Sequence, residues 1–206
     1  MRKFTSGLIV LSALGSYAYA DAPPPGHITI DVQTVNGSGC PSGTWVEAAA
    51  NNTSFFVSYS DYLAQVGVGS GPTEFRRNCQ LNILIHVPQG FTFAIAEADY
   101  GGFASLAAGA TAMERANYYF QGESPTTVVS HTFTGPMSDD WQTIDATDVA
   151  ALVFAPCGVD RNLNINTELR VSSGSSDPSK TTSWIAMDST HGSIHNVFHF
   201  AWRRCQ

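Results

Sequence analysis

The chain has 206 residues with 17 acidic and 10 basic side chains, a formal net charge of −7. Its basic residues form no cluster beyond Arg76-Arg77 and Arg203-Arg204, which excludes the basic surface that a nucleic-acid partner requires. Charged residues make up 13%, against roughly 25% in an ordinary globular chain, and Ser, Thr, Asn and Gly fill the gap.

Residues 1–20 read as a secretory signal peptide: Arg2-Lys3 at the start, an apolar run over 8–14, and Ala18-Tyr19-Ala20 before the expected cleavage point. That run is too short to span a membrane and no other stretch qualifies. Loss of Arg2 and Lys3 takes the net charge of the remaining 186 residues two units lower, to −9. That length fits one domain over 27–206, preceded by a Pro-rich lead-in at 21–26. The expected location is extracellular, and the expected state a monomer.

Residues 27–35 alternate as a first strand, and 37–43 form a loop around Cys40. Residues 44–50 and 53–59 read as a hairpin over Asn51-Asn52. Residues 61–77, rich in Gly, read as a long loop with room for a short helix over 62–66. From Cys79 to Val87 the odd positions are apolar and the even ones mostly polar, the period of a half-buried strand. Pro88-Gln89-Gly90 then reverses the chain, so 79–87 and 91–100 are expected to pair in the middle of one sheet. Phe91, Phe93 and Ile95 share a strand face with Glu97 and Asp99; a bulge near Ala96 or emergence of the strand into solvent would explain the change from apolar to acidic.

Gly101-Gly102 reads as a turn into 103–107. Strands are expected over 111–121, where Tyr118-Tyr119-Phe120 outweigh a helix-like Met113–Ala116, and over 126–134. Residues 138–148 read as an acidic loop around Trp141, and 149–155 as a buried strand. Residues 162–171 give the clearest alternation: Leu163, Ile165, Thr167, Leu169 and Val171 on one face; Asn162, Asn164, Asn166, Glu168 and Arg170 on the other. A loop over 172–179 and strands over 182–187 and 194–204 close the chain. About ten short strands with almost no helix predict an all-β, antiparallel sandwich or jelly roll.

Four cysteines in a secreted chain predict two disulfides. Three pairings are open; Cys40–Cys79 with Cys157–Cys205 is favoured, each tying strand ends across a loop of about 40 residues, with about 2–4 kcal/mol expected per bridge. Asn36, Asn51 and Asn52 head N-glycosylation sequons.

Several segments together are familiar: GSGCP from Gly37, SDY from Ser60, NCQLN from Asn78, VPQGF from Val87, FTGP from Phe133, DDW from Asp139, PCG from Pro156, NLNINTELRV from Asn162 and FAWRRC from Phe200. Over nearly the whole mature chain this resembles the secreted family known as domain of unknown function 4360, of filamentous fungi and some bacteria. The resemblance implies a secreted, disulfide-bonded single domain; it carries no activity and no catalytic residues.

The row Asn162, Asn164, Asn166, Glu168 and Arg170 is the leading candidate for ligand binding. Amides offer donors and acceptors together, which suits sugar hydroxyls. Gln80 and Asn82 extend it if their strand is a neighbour, and Trp45, Trp141, Trp184 or Trp202 could supply a stacking surface. The ordinary reading of such a row is a solvated sheet face or a structural amide network.

Glu97-Ala-Asp99-Tyr resembles the paired-acid strand of laminarinase-like glucanases, yet the next position on that face, Gly101, lacks the further acid. His191, His195 and His199 would share an ion on a helix; on a strand they stand roughly 13 Å apart and cannot. Asp139, Asp140, Asp145 and Asp148 have the chemistry but not the spacing of a calcium loop. An N-terminal copper-binding histidine would require removal of DAPPPG to expose His27.

No cofactor is implied. The sequence thus points to a noncatalytic extracellular binding protein, with cell-wall polysaccharide as the expected partner. A secreted effector acting on a host protein and a glycan-active enzyme are the alternatives.

Overall fold

The computed structural model describes residues 20–41, 44–124, 128–148, 151–187 and 196–206. These form twelve antiparallel strands and, among the described residues, no α-helix. The expected signal peptide, but for Ala20, lies outside them, as do His191, Ile194 and His195.

The strands are β1 (Thr29–Asn36), β2 (Trp45–Ala48), β3 (Ser54–Ser58), β4 (Tyr62–Gly67), β5 (Arg76–His86), β6 (Phe91–Leu106), β7 (Thr111–Phe120), β8 (Val129–Thr134), β9 (Met137–Ala146), β10 (Asn162–Ser172), β11 (Thr182–Met187) and β12 (Asn196–Arg204). One sheet has the order β1-β5-β10-β7-β8. The other has the order β2-β3-β12-β6-β11-β4, with β9 on the opposite edge of β6. At 16 residues, β6 is long enough for β12 to pair along Phe91–Asp99 and β11 to continue along Gly102–Ser105.

The inward faces meet in one core. Leu81, Ile83, Leu163, Ile165 and Leu169 from the smaller sheet are at most 1% exposed, as are Phe55, Phe198, Ile185 and Trp202 from the larger. Phe93 of β6 packs edge-on against Phe120 of β7 across the two layers. Burying such side chains stabilises by roughly 1.5–3 kcal/mol each. The disulfides are Cys40–Cys79 and Cys157–Cys205.

Five elements depart from the sequence reading. Residues 79–87 and 91–100 do reverse at Pro88–Gly90, with Gly90 at φ +87° and Phe91 N donating to Pro88 O. They do not pair: β5 lies inside one sheet and β6 inside the other, so the turn crosses the core. Gly101-Gly102 is no turn. A Cβ at Gly102 would stand 1.9 Å from the Ala186 carbonyl oxygen, so glycine here permits close approach of backbones. Residues 62–67 form β4, not loop or helix, with Tyr62 and Ala64 turned into the core.

The expected acidic loop is β9. Trp141, Thr143 and Asp145 alternate inward between exposed Gln142 and Ile144, a period obscured by the density of acids. Residues 151–155 run irregularly instead of forming a strand, tied to β6 by Ala155 N donating to Phe93 O.

Candidate functional site

The alternation of β10 turns Asn162, Asn164, Asn166, Glu168 and Arg170 to the outer face of the five-stranded sheet. Register then sets their neighbours. On β5, Asn82 lies opposite Asn164, Gln80 opposite Asn166, Asn78 opposite Glu168 and Arg76 opposite Arg170. On β7, Tyr119, Asn117, Arg115 and Met113 oppose Asn164 through Arg170 in the same order.

The row divides in two. At one end Asn82 Nδ2 donates to Asn164 Oδ1 at 2.7 Å, and Asn162 Nδ2 donates to Asn82 Oδ1 at 2.7 Å. These two bonds engage both ends of the Asn82 amide and tie β5 to β10 across the sheet. At the other end Glu168 is 4% exposed and accepts from three guanidinium groups. Arg76 Nε reaches Oε2 at 2.8 Å, with a second contact through Nη2; Arg115 Nη2 reaches it at 3.2 Å; Arg170 Nε holds Oε1. Burial by itself would raise the Glu168 carboxyl. Hydrogen bonds from Arg76 and Arg170 and the charge of Arg115 outweigh it and hold the group below the ordinary carboxylate range.

The three arginine side chains stay 44% (Arg76), 39% (Arg115) and 45% (Arg170) exposed. Three cations around one anion leave a local excess of positive charge in a chain of net charge −7. A pocket of about 280 Å³ opens there, lined by Arg76, Asn78, Gln80, Arg115, Asn117 and Asn166 around Glu168. A wider depression of about 570 Å³, with Phe75, Met113 and Thr132 in its wall, begins at Arg170.

Glu114, one residue before Arg115, faces the opposite way. It is wholly buried, and only the Thr143 hydroxyl stands beside its carboxyl, short of full hydrogen-bond geometry. Burial, then the charge of Asp145, pushes it up to about 8. Asp145 also points inward and meets His131 Nε2 at 2.6 Å.

The other candidates disperse or regroup. Asp139 and Asp145 are roughly 20 Å apart along β9, the latter buried and the former exposed, so the four acids do not form one calcium site. Trp141 and Trp202 are buried, while Trp45 and Trp184 belong to the larger sheet, so no tryptophan stacks on the amide row. Asn52 is 4% exposed, its amide engaged by Pro24, Gly26 and Ile28; Asn36 and Asn51 are exposed. His27 follows a lead-in that is docked through Asp21 and Pro24.

A bulge does fall at Ala96: β12 pairs Phe200 with Ile95 but His199 with Glu97. It turns Ala98 and Tyr100 into the core and Glu97 and Asp99 outward. There His199 Nε2 lies 3.2 Å from Asp99 Oδ2 and 3.9 Å from Glu97 Oε1, a grouping that spacing along the chain could not show.

A two-sheet, two-disulfide, all-β architecture is thus defined by fold and bonding. The chain belongs to the family described as "Domain of unknown function (DUF4360)", whose model matches residues 26–205. A relative in Arthroderma benhamiae, described as an uncharacterized secreted protein, is 33% identical over 186 residues, spanning 90% of this chain and 75% of the relative. Among solved structures, the enzymatically active domain of bacteriophage CBA120 tailspike protein 4 aligns with 87% of this chain at 11% identity and a TM-score of 0.27. The chain spans 19% of that protein's length, and so slight a likeness bears on neither fold nor activity.

Proposed function

We propose that this protein is a noncatalytic extracellular binding protein that takes an acidic polysaccharide on the outer face of its five-stranded sheet. The observation that carries this reading is the Arg76–Arg115–Arg170 cluster around Glu168 at the mouth of a polar pocket. Guanidinium groups pair with carboxylates through parallel hydrogen bonds and remain charged at any physiological pH. Gln80, Asn117 and Asn166 beside them offer both donors and acceptors to hydroxyls. The pocket's volume lies near the lower end of the roughly 300–1,000 Å³ of small-ligand sites, and the depression beyond Arg170 gives an extended chain a path to continue.

The test is retention of the secreted protein on polygalacturonate or alginate gel against cellulose, chitin, β-glucan and xylan, with the supernatant assayed for released sugar. The expected outcome is retention on the acidic gels alone, elution by salt as screening weakens the ion pairs, no release of sugar, and loss of retention in Arg76→Gln/Arg115→Gln. Retention that is equal on neutral polymers, or unchanged in the double variant, would overturn the assignment. Released sugar would make the protein an enzyme.

A further inference from the structure

We propose that Glu97, Asp99 and His199 form a binding site for a divalent transition-metal ion of the zinc type on the outer face of the seven-stranded sheet. The three ligands come from two paired strands. His199 stands directly opposite Glu97, and Asp99 is two residues further along β6, opposite Val197. The bulge at Ala96 makes the site, because it sends both acids outward on the face that carries His199. One potential ligand atom from each residue lies within 4.8 Å of the other two.

The spacing suits a small cation. Ligands at about 2.0–2.2 Å from a tetrahedral zinc stand about 3.3 Å apart. The His199–Asp99 edge is already 3.2 Å, and the His199–Glu97 edge is 3.9 Å. Glu97 is the most exposed of the three, at 41%, and has the side-chain freedom to close the difference.

Two further features favour an ion. Asp99 Oδ1 is buried without a hydrogen-bond partner, although its other oxygen meets His199. Among the described residues neither carboxylate has an Arg or Lys ion pair. Two carboxylates held this close repel unless a positive charge lies between them. One imidazole with two carboxylates selects zinc, manganese, cobalt or nickel over calcium, which gathers six to eight oxygens. Three protein ligands leave a tetrahedral position open to water.

This site is independent of the polysaccharide reading, since it uses the other sheet. The deciding measurement is calorimetric titration of the mature protein, freed of metal by dialysis against a chelator, with zinc chloride and separately with calcium chloride at neutral pH. The expected result is one zinc per chain, weakened at least about tenfold by His199→Gln and by Asp99→Asn, with much weaker calcium binding. His86→Gln, which removes an exposed ring paired with Asp31, should leave zinc binding intact. Glu97→Gln, at the most exposed ligand, gives the same reading if Asp99→Asn fails to fold. Absence of zinc binding, binding indifferent to His199→Gln and Glu97→Gln, or calcium binding as tight as zinc would each overturn the proposal.

Discussion

Glu168 and Glu114 are two carboxyls on neighbouring strands of one sheet, in adjacent register rows: Glu168 pairs with Arg115, and Leu169 with Glu114. Both are buried, at 4% and 0% exposure, yet their charges are driven in opposite directions. Glu168 turns outward into three arginines and is held ionised; Glu114 turns inward, where among the described residues no cation pairs with it, and keeps its proton up to about 8. Burial alone therefore does not decide ionisation. Partners do, and a one-residue step along a strand selects which face supplies them.

The sharpest way to break this contrast is to titrate stability. For Glu114 the folded chain retains a proton that the unfolded chain gives up from about pH 4.5. Stability therefore falls as pH rises between about 4.5 and 8, by up to about 1.4 kcal/mol per unit. Glu114→Gln removes this dependence, so denaturant unfolding at pH 5 and pH 8 should show the native protein losing on the order of 4 kcal/mol more than the variant. Equal slopes would mean that Glu114 is ionised in the fold.

Glu168 has the reverse sign. Its depressed carboxyl stabilises the fold above the ordinary carboxylate range, and that contribution is lost as pH falls through its folded value. Glu168→Gln should cost about 1–3 kcal/mol at neutral pH, the half-exposed arginines recovering part of the loss from water. The gap between the two proteins should narrow as pH is lowered below about 4. A gap that persists in acid would show that packing, not charge, is what the substitution disturbs. Smaller still, Asn164→Ala takes away the acceptor of the Asn82 amide and should cost about 1 kcal/mol without altering either pH slope. A larger loss in thermal unfolding would give the amide tie more weight in the sheet than the arginine cluster.

Much of this contrast is legible in the sequence, and part of it is not. Strict alternation over 162–171 placed Glu168 with the asparagines and opposite the leucines, as found. It could not show that arginines 76, 115 and 170 converge, because they come from three strands joined only by register. Residues 113–116, with helix-forming side chains, gave no hint that Glu114 points inward. Likewise Pro88-Gln89-Gly90 announces a reversal but not that the returning strand joins the other sheet. Along the chain His199 stands in a series with His191 and His195, whereas the groups it meets are 100 and 102 residues earlier, brought opposite by β12 and the bulge at Ala96.

The placement of β12 also governs how such a chain matures. β12, made after the other eleven strands, lies between β3 and β6. It joins what would otherwise be two unconnected pieces of sheet. The same strand receives the early segment, through Asp21 N to the Trp202 carbonyl and Arg204 N to the Asp21 carboxylate, and it carries Cys205 to Cys157. During export the emerging polypeptide therefore cannot complete its larger sheet piecemeal. Closure waits for β12 to arrive, and the long-range pairings then form slowly, together with oxidation of the second disulfide. A nascent chain halted before β12 would leave two open strand edges exposed, the condition under which secretory quality control intervenes and aggregation begins.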